Sequence, residues 1–225
     1  MKPAIGLMCK PPRAGVSKTR LAASIGAEAA ARLSGAFLAD VAETLGGLQA
    51  RGAADVTAFH KPADADAVAQ MRALIPASIP LRAVGGDELG AAMLAAIKRL
   101  LGAGAPAALL IGADLPTLPA ALVSDATARL ASPDVDCVFG PSEDGGYYLI
   151  GLKLARAEVF TGVRWSTARV LEESLERAAE AGLRVSLAPP WFDVDDWDGL
   201  QRLKADLAAA GPELAPHTRL ALAEL

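Results

Sequence analysis

Ala4-Ile5-Gly6-Leu7-Met8, followed closely by Lys10-Pro11-Pro12-Arg13-Ala14-Gly15-Val16-Ser17-Lys18-Thr19-Arg20-Leu21, decides how the rest of the chain is read. The first five residues form a short, continuous apolar run, the pattern of a strand covered on both faces. The next stretch carries four cations, Lys10, Arg13, Lys18 and Arg20, with Pro11, Pro12 and Gly15 among them. A basic, glycine-bearing loop between a buried strand and an incipient helix is where an α/β protein holds a polyphosphate. Gly15 permits a turn close to the ligand, Lys18 supplies a point charge from the first helical turn, and Arg20 can fork onto a phosphate. The spacing is not that of a Walker A loop, because Pro12 and Ser17 stand where its two glycines belong.

Outward from this loop, strand-length apolar runs alternate with helical patterns. Strands are predicted at Asp55–Phe59, Leu81–Val84, Ala107–Ile111 and Cys137–Phe139. Helices are predicted over Thr19–Leu45 (interrupted near Gly26), Ala63–Leu74, Glu88–Leu101 and Pro119–Leu130. This alternation predicts an α/β protein, a three-layer α/β/α sandwich on a mostly parallel, Rossmann-like mixed sheet. Beyond residue 140 the pattern changes: a strand at Tyr147–Lys153 follows only a short loop, which implies antiparallel pairing. A helix at Thr167–Ala181, a strand at Arg184–Leu187 and a last helix at Asp196–Ala210 complete the prediction. Eight of the ten aromatic residues lie in this second half, as expected of a half that forms a pocket.

At 225 residues and 52% hydrophobic, the chain has the size of one well-buried domain. A net charge of -4 argues against general nucleic-acid binding, so the basic loop is a local exception. Cys9 and Cys137 end apolar runs without metal-like spacing and read as buried thiols of a reduced protein. There is no signal-peptide core and no apolar run of about 20 residues, so a cytoplasmic protein without membrane insertion is expected.

Two acidic positions stand out as metal ligands. Asp114 ends the fourth strand in Gly112-Ala113-Asp114-Leu115-Pro116, at the carboxyl edge where open α/β sheets bind ligands. Phe192-Asp193-Val194-Asp195-Asp196 places three carboxylates before the last helix, with Asp196 the natural cap. Close carboxylates repel unless a cation or proton separates them, and Mg²⁺ takes a few carboxylates with water and phosphate oxygens, so Asp114 and Asp195 form the expected pair. Between them, Ser142-Glu143-Asp144-Gly145-Gly146-Tyr147-Tyr148 reads equally as a hairpin turn or as the wall of an acceptor pocket.

Lys10–Leu21, Gly112–Pro116, Gly140–Leu152 and Trp165-Ser166-Thr167 followed by Asp193-Val194-Asp195 occur together in order. The set resembles a bacterial family of glycosyltransferase-like proteins with the GT-A nucleotide-diphospho-sugar transferase fold, some members of which are assigned to arsenosugar biosynthesis. The resemblance covers nearly the whole chain. It implies one transferase domain over 1–225, with a nucleotide-binding half at 1–116 and an acceptor-side half at 117–225. It also implies that Lys18, among Lys10, Arg13, Gly15, Thr19 and Arg20, meets the phosphates. Asp114 and Asp195 would hold Mg²⁺ or Mn²⁺, and Asp87 would lie against the nucleobase. Glu143, Asp144, Gly145, Gly146 and Tyr147, with Trp165, Ser166 and Thr167, would bind a small-molecule acceptor. Where the family shows Gly-Asp-Leu-Gly-x-Arg-Met, this chain has Gly86-Asp87-Glu88-Leu89-Gly90-Ala91-Ala92-Met93, with one extra residue and no Arg. Three activities follow from such a scaffold. Glycosyl transfer from a nucleotide-sugar is the favoured one; nucleotidyl transfer from a nucleoside triphosphate with release of pyrophosphate is the second. The third is nucleotide binding without catalysis.

Overall fold

A computed structural model of the chain describes residues 2–225. Strand β1 (Ala4–Cys9) is buried along nearly its whole length. It pairs in parallel with β2 (Asp55–His60) on one side and β4 (Ala108–Gly112) on the other, and β2 pairs in parallel with β3 (Leu81–Ala83). The sheet continues with β6 (Tyr147–Leu152), antiparallel to both β4 and β5 (Cys137–Pro141), and ends in β7 (Val185–Leu187). The order β3-β2-β1-β4-β6-β5-β7 is the mostly parallel mixed sheet expected from the sequence. The chain leaves β1 towards β2 and returns on the other side as β4, so the sheet opens a crevice between the carboxyl ends of β1 and β4.

Alternate residues of the central strands enter opposite layers. Ile5, Leu7, Leu109 and Ile111 join helices α2 (Ala27–Ala50), α3 (Ala65–Arg72) and α5 (Ala120–Ala131) on one face. Phe59, Leu110, Phe139 and Ile150 join α4 (Leu89–Gly102) and α6 (Val170–Glu180) on the other. The apolar runs of the sequence are continuous because both faces are covered. A third cluster joins Leu21 of the short helix α1 (Thr19–Ile25) to Leu33 and Phe37 of α2. It adds Phe192, Val194 and Leu200, Leu203 and Leu207 of α7 (Trp197–Ala209). Cys9 and Cys137 are free, buried thiols.

Three features depart from the sequence expectation. The helix read from Thr167 begins at Val170, because Ser166 takes a left-handed φ of 63° and the Thr167 hydroxyl donates to Arg164 O instead. A 3₁₀ turn at Ala157–Phe160 and helix α8 (Pro216–Ala223) lie outside the predicted elements. Of the second-half aromatics only Phe192 lines a cavity, whereas Phe139 and Phe160 are core residues with the partly buried Tyr147 and Trp165 packed against them.

Helix α8 has no capping side chain of its own, since Ala215 stands at the N-cap. Its amides are capped from α2 instead. Buried Asp40 accepts from His217 N at 3.0 Å, Thr218 N at 2.9 Å and Thr218 Oγ1 at 2.5 Å. Asp40→Ala leaves these donors unpaired, so it should lower unfolding stability by about 2–3 kcal/mol, while Asp40→Asn, which keeps an acceptor oxygen, should lose less. Urea denaturation midpoints of the two variants check this.

Candidate functional site

A cleft of about 970 Å³ opens at the carboxyl edge of the sheet. Its floor is Met8 and Cys9 of β1, Phe59 of β2 and Gly112 at the end of β4, and its walls come from the loops that follow these strands. Of the expected nucleotide-side residues, Lys10, Lys18, Thr19, Arg20 and Asp87 line it, as do Asp114 and Asp195. Arg13 and Gly15 lie outside: Arg13 pairs with Asp64 at 3.3 Å, and exposed Gly15 takes its φ of 74° in the turn.

Lys18 is the centre of the site. It stands at the N-cap of α1 with φ 52° and ψ 49°, a left-handed conformation unusual for a residue with a Cβ. Such a conformation costs about 1–2 kcal/mol, and the Lys18 carbonyl accepts the first bond of the helix from Ala22 N at 2.7 Å. The side chain is only 4% exposed, and its Nζ lies 2.8 Å from Asp114 Oδ1 while also donating to Asp195 Oδ1. Arg20 Nη2 donates to the other oxygen, Asp195 Oδ2, at 2.9 Å. The two carboxylates are brought together by backbone as well, because Val194 N donates to Asp114 O at 3.0 Å.

The charges follow from these contacts. Burial alone would lower the Lys18 pKa, but Asp114 and Asp195 outweigh it and hold the ammonium above its ordinary value. Burial alone would raise Asp195, but Lys18 and then Arg20 hold it below the usual carboxylate range. Asp193 behaves differently. Burial pushes its carboxyl up to about 6, against the hydrogen bond from Ser142 Oγ (2.7 Å) and with help from the neighbouring Asp195 and Asp144 charges. Asp196 caps α7 by accepting from Gly199 N at 3.0 Å.

The expected acceptor residues divide. Ser166 lines the main cleft. Glu143 and Asp144 line a smaller cavity of about 260 Å³ on the other side of the Asp193–Asp195 segment, with Arg20, Phe192, Asp198 and Arg202. Glu143 is paired with Arg202 there. The remaining residues are used in packing. Tyr147 is partly buried between Phe139 and Trp165, its hydroxyl towards Ser174. A Cβ on Gly145 (φ 88°) would meet Ala168 O at 2.0 Å, and one on Gly90 would meet the Trp165 ring at 2.7 Å. Asp144 Oδ1 accepts from Gly146 N, and Thr167 holds its own turn.

Sequence reasoning missed Ser17, Ser34 and Lys61. Ser34 comes from α2, whose apolar periodicity hides it, and Lys61 follows β2 and donates to Gly86 O at 2.5 Å, joining the loops after β2 and β3. Lys61 sits just beyond a strand end, the same signal that identified Asp114. Among the described residues one further group, Asp40, Glu43 and His217, gathers three ligand atoms within 4.8 Å. It lines neither cavity; Asp40 is engaged at α8, and His217 Nε2 lies 3.0 Å from Glu43 Oε1. That group is a helix anchor.

The sheet order and the site at its switch point define an α/β protein of the nucleotide-diphospho-sugar transferase fold. A provisionally assigned nucleotide-diphospho-sugar transferase from Desulfovibrio desulfuricans G20 is similar over 100% of this chain and 95% of its own, at 32% identity and a TM-score of 0.88. CMP:2-keto-3-deoxy-manno-octonic acid synthetase, solved with CTP, shares the fold over 93% of this chain and 99% of its own, at 14% identity and a TM-score of 0.59. Glucosyl-3-phosphoglycerate synthase of Mycobacterium tuberculosis, solved with Mn²⁺, UDP and glucosyl-3-phosphoglycerate, does so over 99% and 77%, at 10% identity and a TM-score of 0.55. No curated protein matches the sequence. Residues 44–167 match the family described as "Uncharacterized protein conserved in bacteria (DUF2064)", and the chain belongs to that family. No helix among the described residues is long and apolar enough to cross a membrane.

Because the Asp193 pKa is raised in the folded state, its contribution to stability is full at low pH and is lost as pH rises from about 4 to about 6. Asp193→Asn should therefore remove this part of the decline and unfold at a higher temperature than the parent at pH 7.5. Melting curves of both proteins between pH 4 and 8 measure the difference.

Proposed function

We propose that this protein is a metal-dependent transferase that takes a nucleotide-diphospho-sugar as donor and passes the sugar to a small-molecule acceptor. The observation that carries the reading is the convergence of Lys18, Asp114 and Asp195 at the switch point of the sheet, inside a cleft of nucleotide size. Apart from Ser166 and Asp195, the cleft-lining residues come from the first 116 positions, which supports a nucleotide-binding half there. The smaller cavity, lined by Glu143 and Asp144, supports an acceptor side beyond Asp195. The similarity to the D. desulfuricans protein favours a nucleotide-sugar over other nucleotides.

The residues present fit a divalent cation. Asp114 and Asp195, from distant parts of the chain, already converge on one positive group, the Lys18 ammonium, which acts as a stand-in ion. Oxygen donors of this kind suit Mg²⁺ or Mn²⁺. When bound, the ion neutralises charge that develops on the departing diphosphate. Lys18 and Arg20 add fixed cations to the same end of the cleft, and Lys10 extends it. The loop at Gly86-Asp87, held to Lys61, closes the far wall where a nucleobase would lie. Cys9 takes no part in this chemistry as a nucleophile: burial pushes its thiol up to about 12.

A second reading, transfer of a nucleotidyl group from a nucleoside triphosphate, is favoured by Lys18 itself and by the single carboxylate of Gly112-Ala113-Asp114, where sugar transferases often carry Asp-x-Asp. A thermal-shift screen of nucleotide-sugars and nucleoside triphosphates, with and without Mg²⁺ or Mn²⁺, ranks donors without an assay. The products then separate the readings, since glycosyl transfer releases nucleoside diphosphate and nucleotidyl transfer releases pyrophosphate. Asp114→Asn should abolish the metal-dependent part of nucleotide binding while leaving the fold intact. Lys18→Ala should weaken binding of diphospho-sugars by about tenfold or more, as expected for a lost charge-assisted contact, and binding of the bare nucleoside far less. Isothermal titration of both ligands checks this, and equal losses would remove Lys18 from the phosphate role.

A further inference from the structure

Lys18 approaches the carboxylate pair from beneath. Its side chain is 4% exposed, whereas those of Asp114 and Asp195 are 44% and 32% exposed and face the cleft. One ammonium therefore holds the point at which the two carboxylates converge. The second oxygen of Asp195 is taken by Arg20, which also lies 3.7 Å from Asp196. An incoming free divalent ion would have to displace this buried ammonium, which lies over the Phe37 ring at 5.9 Å from its centroid. A polyphosphate changes this in two ways. It gives the Lys18 ammonium a new anionic partner, and it brings the negative charge that retains the metal.

We propose that the divalent ion enters this site together with the polyphosphate, as one chelate, and that Lys18 excludes the free ion by holding its place between Asp114 and Asp195. The inference rests on the transferase reading for the identity of the phosphate ligand, but not on which group is transferred. By linkage, phosphate and metal each raise the affinity of the other by the same factor. Removing the ammonium while keeping its bulk breaks that dependence: Asp114 and the Lys18-facing oxygen of Asp195 lose their partner and attract a cation without help.

The test uses the full chain, with Mn²⁺ and inorganic pyrophosphate as probes. Mn²⁺ binding without phosphate is followed by electron paramagnetic resonance, and melting temperature is followed with Mn²⁺ alone, pyrophosphate alone and both. The parent should bind free Mn²⁺ weakly and be stabilised mainly by the two together. Lys18→Met should bind free Mn²⁺ about tenfold more tightly or better, within the usual range of coupling factors, and lose most of the gain from pyrophosphate. If Lys18→Met and the parent bind free Mn²⁺ alike while the parent is still stabilised by the chelate, Lys18 does not exclude the ion and this inference alone falls. If Mn²⁺ with pyrophosphate fails to stabilise the parent, this inference falls, and the transferase reading is judged separately by the screen of nucleotide-sugars and nucleoside triphosphates. Should Lys18→Met not fold, the parent decides the matter: free Mn²⁺ bound as tightly as Mn²⁺ with pyrophosphate overturns the proposal.

Discussion

A buried ammonium from near the start of the chain, held between carboxylates from its middle and its carboxyl-terminal part, is the constraint around which this molecule is arranged. Lys18 follows β1, Asp114 ends β4 and Asp195 precedes α7, so the contact exists only when the loop after β1, the sheet and the carboxyl-terminal helices are all in place. Two neighbouring carboxylates repel, and a lysine side chain taken out of water is costly; each makes the other tolerable. The apolar cluster of Leu21, Phe37, Phe192 and Val194 forms beneath this contact and packs α1 and α2 against the segment that carries Asp195. The polar site and the local core are built from the same residues' neighbours.

The core of the fold was legible because its signals are local. The apolar runs of β1 and β4 are strands covered on both faces, and Asp114 is legible as the polar residue where such a run stops. Asp196 as a helix cap is equally local. What escaped depends on contacts across the chain. Helix α8 has an alanine where a cap belongs and receives its cap from Asp40, 178 residues before Thr218. No window of sequence around residue 216 contains that information.

The same reason explains how the site divided. Lys18, Arg20, Asp114 and Asp195 are charged residues at element ends, and the fold gathers them. Gly145, Gly146 and Tyr147 form a run that reads equally as pocket or as turn, and the structure uses it as turn and core: Gly145 clears Ala168, and Tyr147 fills space beside Trp165. The segment 86–93 also has a physical role. Gly90 admits the Trp165 ring against the start of α4, so this segment links the wall of the cleft to Trp165 and the neighbouring Ser166.

The central claim is that Asp114 and Asp195 together hold the metal that accompanies a nucleotide. Anomalous diffraction at the manganese edge, from crystals grown with Mn²⁺ and the nucleotide that most raises the melting temperature, tests it directly. A single strong peak in contact with both carboxylates, with Lys18 turned to phosphate, is the predicted result. A peak confined to Asp40, Glu43 and His217, or nucleotide bound in the cleft with no peak beside Asp114, would contradict it.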